Sequence, residues 1–333
     1  MSLDAWSRVM SDEPTLRTAA DERGFNLGAA VDPNALRNDP SYWKTLRSSF
    51  NAVTPENALK MGPLRPSPNT YDFTDADAVV NFGVANDMYV RGHTLVWHNQ
   101  TPHWFQAWDY TDDQLREFLR DHIHTVAGRY RAKIDTWDVV NEAVADDGTM
   151  RETVWYDALG EEYLDLAFQW ASEVAPDADL YYNDYGADAI NEKSDAIYDL
   201  LERLLERGVP VDGVGLQLHA LGDHPDPESV AANIERFQAL GLEVEITEMD
   251  VSFPADDVPD DPLEVQADYY RSIVETCLEV GCETVVTWGV NDANSWVANF
   301  KDFPERFTTE PLLFGGRYEE KPAYHAVRDA LEN

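Results

Sequence analysis

Two hydrophobic periods alternate along this chain. Short apolar or β-branched runs recur at nearly regular intervals, at residues 25–31, 50–54, 89–97, 135–141, 180–185, 211–219, 243–250 and 284–290. Runs of that length and composition predict strands. The stretches between them carry a helical period instead. In residues 111–130, Leu115, Phe118, Leu119, His122 and Val126 fall on one face, and Thr111 stands where an N-cap belongs. Residues 191–207 form a second such stretch and stop at Gly208, as a helix meeting a terminator should. A last helix is predicted over 319–331.

Strand and helix alternate eight times without a Ser/Gly/Pro-rich linker or a shift in composition. Repeated strand–helix–strand units imply a parallel sheet, and eight of them imply closure into a single-domain (β/α)8 TIM barrel of the α/β class. A doubly wound sheet would want a G-x-G-x-x-G turn after a strand, and none is present. The expected organisation is an N-terminal extension or first helix over 1–20 and the barrel over 21–333.

Such barrels carry their chemistry at the C-terminal ends of the strands, so the residues closing each strand become the candidates. Strand two ends in Glu56 and Asn57 with Lys60 beyond. Strand three holds His93 and ends in Trp97, with Gln100 after it. Strand four closes on Asn141 and Glu142, five on Asn183 and Tyr185, six on Gln217 and His219. Strand seven ends in Glu248 and Asp250, and strand eight leads to Trp288 and Trp296. Carboxamides and charged groups make the directional hydrogen bonds that sugar hydroxyls need, and indole faces suit the apolar faces of sugar rings. Stability alone gives no reason to collect so many groups that are costly to desolvate at one rim. Glu142 and Glu248 stand across the barrel mouth, and glycoside hydrolysis needs two carboxyl groups flanking the scissile bond.

Charge narrows the field further. With 63 acidic residues against 25 basic, the net charge is -38, so nucleic acid and anionic lipid are poor partners. No apolar run is long enough for a membrane span. Only six of the basic residues are lysine. A solvated acidic surface of this kind suits high salt, where counterions screen self-repulsion. His122 and His124, two apart on one helix, point to different faces, and no other spacing suggests a metal site. The acidic pairs Asp146-Asp147, Asp256-Asp257 and Asp260-Asp261 read as solvated loop charge. Neither metal nor cofactor is expected. The two cysteines, Cys277 and Cys282, are five apart; a short-loop disulfide and two buried thiols are both open. The opening MSLDAWSRVMSDEP has no basic or apolar signal-like run, so it predicts no export by itself. Localisation is open between a secreted protein with its signal removed and a cytoplasmic one. A monomer is expected.

At these residues the sequence resembles glycoside hydrolase family 10, the barrel-fold endo-β-1,4-xylanases. The blocks that carry the likeness run in order over most of the chain: TPENALK (54–60), RGHTLVWHNQTPHW (91–104), TWDVVNEAV (136–144), YYNDY (181–185), GVGLQLH (213–219), VEITEMDV (244–251), TWGVNDANSW (287–296) and PLLFGGRYEEKPAY (311–324). The resemblance implies a retaining hydrolase of xylan or xylo-oligosaccharides, with Glu142 as acid/base and Glu248 as nucleophile. It implies that Asn141 holds a sugar 2-hydroxyl, that His219 bonds the nucleophile, and that Asp250 orients His219. It places Glu56, Asn57, Lys60, His93, Trp97, Gln100 and Gln217 along the glycone subsites, with Trp288 and Trp296 as walls. Asn183 and Tyr185 are also expected at the substrate. Family members usually carry Trp after the lysine, where this chain has Met61, which puts the outer glycone wall in question. They also commonly carry a cysteine pair before the eighth strand, which favours a Cys277–Cys282 disulfide. Two competing readings share the barrel: a retaining β-1,4-glucanase, and a sugar-binding barrel without catalysis.

Overall fold

Eight parallel strands close on themselves in the computed structural model, which describes residues 14–301 and 303–333. The barrel strands are β1 (Asn26–Val31), β2 (Ala52–Pro55), β3 (Tyr89–Val96), β4 (Thr136–Asn141), β5 (Asp179–Asp184), β6 (Gly213–Leu216), β8 (Glu243–Ser252) and β9 (Thr284–Thr287). A short ninth strand, β7 (His219–Leu221), lies between β6 and β8 in sequence. Each strand pairs in parallel with its neighbour, and β1 pairs with both β2 and β9, from Asn26 against Thr284 to Ala29 against Thr287, which shuts the ring. The single-domain (β/α)8 barrel expected from the alternation is the observed fold.

The sixth strand departs from expectation. The continuous run predicted over 211–219 is broken into β6 and β7, both of which pair with β8. Leu218, at the break, has φ of 53°, a left-handed backbone that costs a side-chain-bearing residue about 1 kcal/mol or more. Its N–H is held by the Asp188 carboxylate at 2.7 Å. The kink turns His219 back into register opposite Asp250.

The helices follow from their caps. Helix Asp112–Arg129 starts at Thr111, whose hydroxyl accepts from the Gln114 N–H while the Gln114 side chain accepts from the Thr111 N–H, a reciprocal box in which the cap contributes about 1 kcal/mol. Its predicted apolar face is buried, His122 included. Helix Glu192–Glu206 is capped by Asn191, and the chain leaves it through Gly208 at φ 72°. The predicted last helix begins later, at Pro322, and runs to Glu332. A helix over Leu16–Arg23 crosses the expected boundary at residue 20 and packs against that last helix, with the Leu16 N–H 3.4 Å from the Tyr324 hydroxyl. It is therefore built into the barrel. The rest of the expected extension, residues 1–13, lies outside the described residues.

Part of the barrel interior is ionic. Arg91 is buried with its guanidinium between the Asp138 and Glu245 carboxylates. The Tyr89 hydroxyl donates to Glu245 at 2.8 Å, and the Thr284 hydroxyl does so at 3.2 Å. Removing one partner would strand a buried charge, at a cost of about 3–5 kcal/mol. Among the described residues no helix is long and apolar enough to cross a membrane.

Candidate active site

The C-terminal ends of the strands open onto a cleft of about 830 Å³. Of the residues proposed from sequence, Glu56, Asn57, Lys60, His93, Trp97, Gln100, Asn141, Glu142, Tyr185, Gln217, His219, Glu248, Trp288 and Trp296 line it. They come from the ends of seven different strands or the loops that follow.

Glu142 lies one residue past β4 with φ of 58°. Several groups fix this left-handed backbone. The Glu142 N–H donates to the Asn183 carbonyl at 2.9 Å, and Arg151 donates to the Glu142 carbonyl at 2.9 Å. The next two N–H groups, of Ala143 and Val144, both reach the Tyr182 hydroxyl. The strained turn aims the carboxylate into the cleft, where Trp97 Nε1 donates to one oxygen at 2.8 Å. Asn141 Nδ2 and Gln217 Nε2 donate to the other at 3.1 and 3.2 Å.

Glu248 sits within β8 and is buried. Asn183 Nδ2 donates to Oε1 at 2.8 Å, and His219 Nε2 faces Oε2 at 3.2 Å. His93 Nδ1 stands 3.8 Å from the carboxylate. Burial alone would raise the pKa of Glu248, but the imidazoles of His93 and His219 and the Lys60 ammonium outweigh it and hold the group at about 2. Glu248 is a carboxylate throughout the working pH range. His219 responds in the opposite sense. Burial would lower its pKa, yet Asp250, 3.1 Å from Nδ1, and Glu248 lift it to about 10. Asp250 is itself pinned by Trp296 Nε1 at 2.6 Å.

Lys60 donates to Asn57 at 2.9 Å and lies over the rings of Trp97 and Trp288, 4.7 and 5.6 Å from their centroids. Burial lowers its pKa, against the pull of Glu248, Glu56 and Glu142. Glu56 is pushed up to about 7 by burial, which the nearby Lys60 charge only partly offsets. On the far side, Tyr185 is held from behind by Lys193, 3.5 Å from its ring centroid. Its hydroxyl donates to Asp146 at 2.6 Å and accepts from Arg151 at 3.1 Å.

The structure corrects three expectations. Asn183 does not line the cleft; it is fully buried, bridging Asn141 and Glu248 and accepting from Thr247, so no hydrogen-bonding atom is left for a ligand. Met61 is buried in the core and lines no part of the cleft, so its replacement of Trp leaves the Trp97–Lys60 wall intact. Cys277 and Cys282 are free thiols rather than a disulfide. Both are buried, and Cys282 Sγ is directed at the Thr284 carbonyl at 3.6 Å. Asp250 also lies behind the cleft, in keeping with its expected position beside His219. Sequence reading missed Asn99, the 186–191 segment, Leu221, Asp223, Pro225 and Phe300, all on the cleft wall. They sit in loops without periodicity, where only proximity to a strand end could have flagged them. No arrangement of three or more His, Cys, Asp or Glu among the described residues could hold a metal ion.

The sequence profile of Glycosyl hydrolase family 10 matches residues 15–330. The chain belongs to this family. Endo-1,4-beta-xylanase B of Thermotoga neapolitana is 40% identical over 326 residues, covering 97% of this family 10 chain and 93% of that protein. The crystal structure of native xylanase 10B from Thermotoga maritima superposes with a TM-score of 0.90 at 41% identity, over 96% of this chain and 98% of that one. Xylanase 10B from Thermotoga petrophila RKU-1 in complex with xylobiose gives 0.91 at 40% identity, over 96% and 97%.

Proposed function

We infer that this family 10 chain is a retaining endo-β-1,4-xylanase, with Glu248 as nucleophile and Glu142 as acid/base. The observation that carries the assignment is the contrast between the two carboxylates. Glu248 is buried among His93, His219 and Lys60, which keep it ionised. Glu142 faces neutral donors, Trp97, Asn141 and Gln217. In the first step the Glu248 carboxylate bonds to the anomeric carbon while the glycosidic C–O bond breaks, and Glu142 gives its proton to the departing oxygen. Esterified Glu248 is uncharged, so Glu142, now a carboxylate, takes a proton from the water that attacks the same carbon and releases Glu248. Lys60, Asn57, Glu56 and Gln100 supply hydroxyl partners on one side of the reacting bond, the glycone side, and Trp97 and Trp288 supply the walls. Tyr185 faces the other side.

The decisive experiment is hydrolysis of xylohexaose followed by proton NMR. Internal cleavage with β-configured first products supports the reading. Cleavage of a cello-oligosaccharide in its place moves the substrate to a β-1,4-glucan, and binding without cleavage makes the barrel a sugar-binding module. The net charge of -38 supports a further proposal, that the protein works at high ionic strength.

A further inference from the structure

The described surface exposes few large apolar side chains: Trp43, Val84, Ile190, Val258, Leu263, Val265 and Phe300. Of these, Phe300 is the most exposed, at 55%, and the one that lines the cleft. An exposed ring at the rim of a sugar cleft, on so acidic a protein, needs an explanation.

The ring is held in place from behind. It meets Phe303 at 4.8 Å between centroids and Trp296 at 5.8 Å, and Phe303 in turn packs on Phe307 at 5.5 Å. The backbone follows the same ladder, with the Phe303 N–H bonded to the Phe300 carbonyl and the Phe307 N–H to that of Phe303. The ladder is fastened to the segment after β8, where the Thr308 N–H donates to the Phe253 carbonyl and the Ala255 N–H to that of Arg306. It also abuts the loop after β7. Gly222 has φ of 79°, and a Cβ there would lie 3.1 Å from the Phe307 ring and 3.2 Å from Pro254. That loop brings Leu221, Asp223 and Pro225 onto the same cleft wall, and Tyr269 secures it through its hydroxyl to the Pro225 carbonyl at 2.9 Å. Trp296 links the ladder to His219, at 5.0 Å between rings. All these anchors belong to the β7–β8 side of the barrel, away from the β2 and β3 ends that carry Glu56, Lys60 and Trp97.

We propose that Phe300, with Leu221, Pro225 and the Asp223 carboxylate, forms a distal subsite on the leaving-group side of the cleft that stacks a pyranose ring of the β-1,4-linked chain. The ring face supplies the apolar platform, and Asp223 supplies an acceptor for a sugar hydroxyl. Packing behind the ring orients it in advance, so little freedom is lost when a sugar docks. The proposal rests on the xylanase reading and on the glycone side being that of Lys60.

The test compares kcat/KM for xylohexaose and for an aryl β-xylobioside, whose leaving group is too short to reach the subsite, in wild type, Phe300→Ala and Phe300→Trp. An aromatic contact of this kind is equivalent to about a fivefold effect. Phe300→Ala should therefore lose about fivefold more on xylohexaose than on the aryl substrate, and Phe300→Trp should restore the ratio. Equal losses on both substrates, or a tryptophan variant no better than alanine, overturn the subsite. Failure of the wild type to cleave either substrate refutes the xylanase reading instead, so the two failures are distinguishable.

Discussion

His122 should make this barrel acid-sensitive in a way that one substitution removes. The imidazole is buried on the inner face of helix Asp112–Arg129, with Tyr71 stacked at 6.3 Å and Phe118 at 6.5 Å between centroids. Burial first, and the Arg65 guanidinium second, depress its pKa from 6.5 to about 3. The folded state therefore keeps the ring neutral while the unfolded chain protonates it. The contribution to stability is whole above pH 6.5 and is lost as pH falls from there towards 3. At pH 4 the unfolded chain is about 2.5 pH units below the ordinary value, and each unit is equivalent to about 1.4 kcal/mol, so about 3 kcal/mol should be gone. His122→Phe keeps a flat ring between Tyr71 and Phe118 but cannot titrate. Guanidinium unfolding of both proteins at pH 7 and pH 4, at matched ionic strength, isolates the effect, because the many carboxylates cancel in the difference. The variant should gain about 3 kcal/mol on wild type between the two pH values. Parallel pH dependence in the two proteins would refute the assignment of a neutral buried histidine.

Glu142→Gln should lose about 10²–10⁴-fold in kcat on xylan, and Glu248→Gln at least as much, with folding checked by circular dichroism; near-wild-type turnover in either removes its assigned role. Glu56 at about 7 is neutral below that pH and ionised above it, so KM for xylo-oligosaccharides should change between pH 6 and 8, and Glu56→Gln should flatten that change. The raised pKa of His219 means that its charged contacts stabilise the fold fully below pH 6.5 and are lost as pH rises through about 10. Asp250→Asn, by removing the main source of that shift, should bring the alkaline fall in activity to lower pH, and an unmoved limb would exclude His219 from it. Melting temperature should rise between 0.1 M and about 2 M salt as surface repulsion is screened; a flat or falling curve argues against a high-salt protein.

The strands were legible because period-two burial and helical spacing are local signals, and each strand end then named its candidates. What stayed hidden depends on partners far apart in sequence. Arg91 reads as an ordinary strand residue until the barrel brings Glu245, 154 positions away, onto it. Asn183 ends a strand like its neighbours, but closure turns it inward to bridge Asn141 and Glu248. The break at Leu218 carries no glycine or proline to announce it, and its left-handed backbone is imposed by Asp188 from another loop. Phe300 and Asp223 lie in segments with no repeating pattern, so nothing local marked them as cleft wall.

The pairing of β7 with β8 sets His219 against Asp250, so the charge environment of Glu248 is a matter of strand register. Sliding either strand by one position would turn each side chain to the opposite face and dismantle that environment at once. The loop segments bearing Asp223 and Phe300 carry no such constraint. For engineering, this separates two layers of the molecule: a reaction centre that tolerates no insertion in its strands, and a replaceable rim. Exchanging residues 296–308 for a loop of another length should change which chains are held, and for how long, while the bond-breaking step keeps its pH dependence.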